Sequence, residues 1–174
     1  MAAAGHTRVW DPLVRTVHWS LAALIAVELF NEAGANPWHR YLGYVAAALV
    51  VVRLAWGCGD RGHASLLAMA ASARPAFFHF RRAARTAPPC AHTPPGALMA
   101  FALWALALLV ALTGWMQGLD AFWGDEGLQQ LHAVLAYLLG GCALVHIIAA
   151  LAMSRAQGVN LVKAMITGNK PLGG

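Results

Sequence analysis

A chain of 174 residues that is 60% hydrophobic and only 11% charged has too little polar surface to coat a soluble globule of its size. Its mean hydropathy of +0.59 points to an integral membrane protein, and its net charge of +5 needs no nucleic-acid partner to explain it if the basic residues collect on one side of a bilayer.

A helix crosses the hydrocarbon core with about 20 mostly apolar residues, and four segments approach or exceed that length. The first runs from Leu13 to Glu32. The basic region before it holds Trp10, Asp11 and Pro12, and no small-residue cleavage site follows, so it is expected to be a helix of the mature protein and not a signal peptide. It carries Arg15 and His18 at its start, in "VRTVHW". Glu28, near its other end, reads chiefly as a solvated interfacial acid, with a proton relay as the lesser alternative.

The second segment, His39 to Gly57, opens with "HRYLGY", which supplies His39, Arg40 and Gly43. Arg53 stands near its far end, where a long side chain is expected to snorkel to the interface, as are Arg15, Glu28 and Arg40. Residues 58–94 form a long connection. Within it, Phe77, Phe78 and Phe80 beside Arg81, Arg82 and Arg85 suggest a short interfacial helix bounded by Pro75 and the Pro88-Pro89 pair; a solvated basic loop is the competing reading.

The third segment, Pro95 to Gln117, has no charged residue between Gly96 and Met116 and contains Gly114. The fourth, Leu128 to Met153, has no charged residue at all, yet it holds His132 and His146. Together the four define an all-α membrane bundle in which residues 1–174 form a single domain. The cysteines Cys58, Cys90 and Cys142 make no C-x-x-C pair, so any haem is held without thioether bonds.

With four crossings, the N-terminus, the 58–94 connection and the C-terminus share a side. That side carries Arg8, Arg15, Arg61, Arg74, Arg81, Arg82, Arg85, Arg155, Lys163 and Lys170, whereas the opposite side has Arg40 against Glu32, Asp120, Asp125 and Glu126. The positive-inside rule therefore makes both termini cytoplasmic.

His132 and His146 are separated by about 21 Å along a helix axis and by about 40° of rotation, so they share a face at opposite membrane depths. His18 matches the inner depth and His39 the outer. A pair of imidazoles at one level suits an iron whose equatorial plane is filled by a macrocycle, each ring supplying one axial bond. Two pairs, His18 with His146 and His39 with His132, give two haems b. For each histidine alone, a hydrogen bond between helices is the competing role; His6, His63, His79 and His92 lie outside the helices and read as ordinary polar residues.

Gly43, Gly114, Gly140 and Gly141 cost helix propensity and would let a flat ring approach, with close helix packing the alternative. Arg15 and Arg40 stand beside the proposed ligands at the membrane edges and are candidates to pair with haem propionates.

The motifs "VWDPLVRTVHW", "HRYLGY", "RLAWG", "PPGALM", "ALTGW", "LHAVLAYLL", "LVHIIAAL" and "NLVKAMITGNK" resemble the bacterial cytochrome b561 family, which includes the b-type cytochrome subunits of nickel-iron hydrogenases, over roughly Val9 to Lys170. This resemblance implies a four-helix bundle with two haems b, and electron exchange between a quinone pool and a c-type cytochrome, dehydrogenase or hydrogenase subunit. Relatives usually have Asn before the Pro-x-Gly where this chain has "HTPPGALM", a departure that touches no ligand. The short chain favours the stand-alone or cytochrome-linked branch.

Membrane lipid is the remaining expected partner, with a homodimer as a further expectation, and the cytoplasmic membrane is the expected location. A metal-ion or proton transporter and a structural anchor of a redox complex are the alternative functions; the first is disfavoured because carboxylates are almost absent from the bundle. The acidic outer loops are an expected docking face for a basic partner.

Overall fold

The computed structural model describes residues 6–8, 10–31, 37–59, 65–78 and 94–171. Its elements are β1 (His6–Arg8), α1 (Pro12–Phe30), α2 (Pro37–Gly59), α3 (Leu66–Phe78), α4 (Pro94–Met116), a 3-10 turn at Asp120–Phe122, α5 (Glu126–Gln157), α6 (Leu161–Thr167) and β2 (Asn169–Pro171). Helices α1, α2, α4 and α5 are each long and apolar enough to cross a membrane.

Local sequence sets the helix ends. Asp11 caps α1 by accepting from Val14 N at 2.8 Å, with Pro12 following where its missing N–H costs nothing. Asp125 caps α5 in the same way through Leu128 N at 3.0 Å. Glycine ends α5, because Gly158 has φ of 64°, a conformation that side chains disfavour. At 32 residues, α5 is about 48 Å long and outruns the hydrocarbon core, so both of its ends project.

Helix α4 is the hub: α2, α3 and α5 all pack on it, and α1 packs on α2. The core gathers Val17 and Leu21 of α1 with Val50 of α2, backed by Trp104 and Leu108 of α4. By contrast, α5 meets α1 at only a few positions, so the ring of four helices is weakly closed along that seam. Large apolar side chains such as Phe30 and Tyr137 lie exposed around the outside, as a lipid-facing surface requires.

Three features differ from the sequence expectations. Arg53 does not snorkel. It is 3% exposed, with its guanidinium 5.0 Å from the Trp104 ring and Nη2 3.5 Å from Met69 Sδ, because α3 folds over it and supplies a polarisable contact. Pro75 does not bound an interfacial helix; it lies inside α3, which begins at Leu66, and residues 79–93 of the supposed basic segment lie outside the described residues. The chain ends also carry elements that periodicity did not announce, namely α6 and an antiparallel β1–β2 ribbon pairing Thr7 with Lys170.

That ribbon ties the two ends of the chain together on one face of the bundle. Trp10 N donates to Gly168 O at 3.2 Å, Arg15 Nη2 donates to Ile166 O, and Trp56 Nε1 donates to Asp11 Oδ2 at 3.2 Å. Gly168 is the tightest point, with φ of 81° and only 2.9 Å between Trp10 O and the place a Cβ would occupy. Gly168→Ala is expected to destabilise the protein by about 1–2 kcal/mol from the left-handed conformation alone. Thermal unfolding in detergent should show a lowered Tm, whereas Gly59→Ala, with nothing within 4 Å of its new Cβ, should leave it unchanged.

Candidate functional site

Four histidines face one another in two pairs at opposite ends of the bundle. Near the α1–α2 connection, His39 in the first turn of α2 meets His132 of α5, with ring centroids 6.1 Å apart and planes at 83°. Near the end that carries the termini, His18 of α1 meets His146 of α5, with centroids 6.3 Å apart and planes at 58°. Trp19 stands edge-on to His18 at 5.3 Å.

At the first pair, hydrogen bonding selects the ring nitrogen left exposed. Thr113 Oγ1 lies 2.9 Å from Leu109 O and 3.0 Å from Val110 O, so its single proton is spent on the backbone of α4. Toward His132 Nδ1, at 2.9 Å, the hydroxyl then accepts. His39 Nδ1 lies against Glu28 Oε2, and an ionised carboxylate also only accepts. Thr113 Oγ1 and Glu28 Oε2 thus each lie against the Nδ1 of one ring of this pair, contacts that favour the tautomer with a free lone pair on Nε2, the arrangement that makes an imidazole a metal ligand. At the second pair, His18 Nδ1 is buried without a hydrogen-bond partner.

The spacing fits a metal held between the rings. Two metal–imidazole bonds of about 2 Å each, plus the half-width of each ring, put trans ring centres about 6 Å apart. A flat macrocycle also needs space beside the rings. Gly43, one turn beyond His39 on the same face of α2, would place a Cβ with nothing within 4 Å, and the weak α1–α5 seam leaves these helices short of their usual close contact. Gly114 serves differently, since its Cβ would stand 3.1 Å from His132 Cε1; a side chain there would push the ring aside. Gly140 packs against Leu29, and Gly141 is open.

Arg15 spends Nη2 on Ile166 O, while its Nε is buried without a hydrogen-bond partner. Arg40 is exposed beside the backbone of Gly118, its Cζ 3.6 Å from where a Cβ would stand. Glu28 is not the solvated acid the sequence suggested: its side chain is 15% exposed, with His39 of α2 lying against it. Thr113 was not singled out from sequence at all. Its signal was a lone hydroxyl next to Gly114 near the end of an apolar run, at the same depth as His132 across the α4–α5 turn.

A family model described as prokaryotic cytochrome b561 matches residues 9–168 of the chain. No curated protein and no solved structure matches it.

The open space at Gly43 yields a test that does not touch a ligand. Gly43→Leu places a side chain where a Cβ has nothing within 4 Å, one turn from His39 on the same face of α2. Purified Gly43→Leu protein is expected to keep its Tm without haem but to hold substantially less haem than the parent, measured by pyridine haemochrome quantitation.

Proposed function

Because the chain belongs to the prokaryotic cytochrome b561 family of membrane b-type cytochromes, which act in electron transfer, we propose that it is a di-haem cytochrome carrying electrons across the cytoplasmic membrane between the quinone pool and a redox partner on the outer side. The single observation that carries this reading is the presence of two imidazole pairs at opposite ends of one bundle, each with ring centres about 6 Å apart.

In this reading His18 and His146 hold the inner haem, and His39 and His132 the outer one. Haem b, when bound, supplies a reversible one-electron change at its iron. The surrounding residues do the rest. Thr113 and Glu28, each against an Nδ1, favour the tautomer of their histidines that leaves Nε2 free for the iron. Gly43 and Gly114 leave room, and the apolar helix walls exclude water. Arg15 and Arg40, at opposite edges of the bundle, are placed to meet propionates. The basic residues on the side of the termini orient that side toward the cytoplasm.

A bare-ion pathway is less well supported, because two imidazoles per level leave a naked cation short of ligands that a macrocycle would supply.

Two haems per chain are expected, both extractable with acidified organic solvent since no cysteine links them. His18→Ala and His146→Ala should each remove one haem and His39→Ala and His132→Ala the other, read from reduced-minus-oxidised spectra with haem quantitation. One haem or none in correctly inserted protein would overturn the assignment.

The outer surface yields a kinetic expectation. Asp120, Asp125 and Glu126 are exposed there, and Asp125 also caps α5, a role asparagine fills equally well. Exposed charge of one sign mainly speeds association, an effect that fades as salt shortens screening to about 8 Å. Electron exchange with a cationic soluble cytochrome is therefore expected to slow with added salt in stopped-flow measurements. The Asp125→Asn, Glu126→Gln double variant should flatten that dependence; an unchanged slope would remove this face as the docking site.

A further inference from the structure

The four histidines do not have equivalent surroundings. His132 has a neutral hydroxyl against its Nδ1, and among the described residues only His39 of the four has a carboxylate in contact, Glu28 Oε2 lying against its Nδ1. Glu28 is held for that contact. Asn31 Nδ2 approaches Oε1 at 3.5 Å and Asn31 N donates to the Glu28 carbonyl at 3.3 Å, which folds the end of α1 around the side chain and leaves Oε2 directed at the ring. A carboxylate so little exposed is costly unless a polar group faces it, and the group against Oε2 is the His39 imidazole.

We infer that Glu28 is a positioning residue for the outer haem, holding His39 by its contact with Nδ1 and placing a negative charge one imidazole away from the iron, so that this haem is harder to reduce than it would be without the charge. The inference rests on the proposed ligation by His39 and His132. Its physical basis is that a carboxylate hydrogen-bonded to a ligating imidazole makes the ring a stronger donor, and that a fixed anion in surroundings of low dielectric favours the more positive, oxidised iron. Among the described residues no carboxylate is paired with His18, His132 or His146, so the effect is expected at one of the two haems.

Glu28→Gln separates charge from shape, since the amide keeps an oxygen that can accept from Nδ1 but carries no charge. Redox titration of the two-haem protein, followed optically, is expected to show the outer haem reduced more easily in Glu28→Gln by about tenfold in its equilibrium, ~59 mV for a one-electron couple, with the inner haem unmoved as an internal reference. The low-spin ferric signal of the outer haem in electron paramagnetic resonance should shift as well, because the donor strength of His39 falls. Glu28→Asp, which keeps the charge, should shift the potential less than Glu28→Gln.

An unchanged outer potential in Glu28→Gln, or equal shifts in both variants, would overturn the inference while leaving the two-haem assignment intact. If Glu28→Gln loses the outer haem, retention of that haem by Glu28→Asp supports the role of the charge, and loss from both overturns it. A parent protein without haem, or an outer haem that survives His39→Ala, would instead overturn the ligation itself.

Discussion

Hydrocarbon offers no hydrogen bonds, so polar side chains carried into the bilayer by these helices are stabilised by groups inside the protein. Several of the described ones meet such groups. Thr113 returns its proton to the α4 backbone and receives one from His132; Glu28 meets His39; Arg53 lies against Trp104 and Met69. Because lipid drives the helices together no better than it drives them apart, these contacts and close packing must fix how the helices are rotated. The histidine pairs follow from that rotation.

Packing is distributed unevenly, and the unevenness has a use. The α1–α2–α4 seam is filled by Val17, Leu21 and Val50 with Trp104 and Leu108 behind them. Helix α5 instead rests on α4 and reaches α1 at few points, although it carries one histidine of each pair. A large planar group held between helices, as in the proposed function, would need such a division, with a dense scaffold on one side and a seam less closed on the other. Where α5 does reach α1, Gly140 lets Leu29 pack closely against it.

The end of the bundle that bears the termini is braced by contacts between the first and last segments of the chain. Asp11 serves at once as the cap of α1 and as acceptor for Trp56 of α2, while Arg15 and Trp10 reach the last turn of α6 and the residue that ends it. The first and last helical segments are thereby tied to the same face, and His18, one turn beyond Arg15, is positioned from a fixed base. At the opposite end, His39 is positioned by a carboxylate from the preceding helix, so a charged contact there takes the place of a folded collar.

Four membrane helices were legible in the sequence because hydrocarbon thickness converts directly into a run of about 20 apolar residues, and Asp11, Pro12, Asp125 and Gly158 mark helix ends by local chemistry. The meeting of His18 with His146 and of His39 with His132 was legible too, since helical rise turns sequence position into membrane depth. What depends on rotation about a helix axis was not. Arg53 near a helix end has the same sequence signature whether it snorkels outward or lies under α3 on Trp104. Glu28 reads alike solvated or set against His39, and Thr113 becomes a partner of His132 only when α4 and α5 are packed in one particular register. Length, hydropathy and depth are properties of one chain segment at a time, and the sequence determined them; which face each helix turns to its neighbours depends on all the helices at once, and only the tertiary structure decided it.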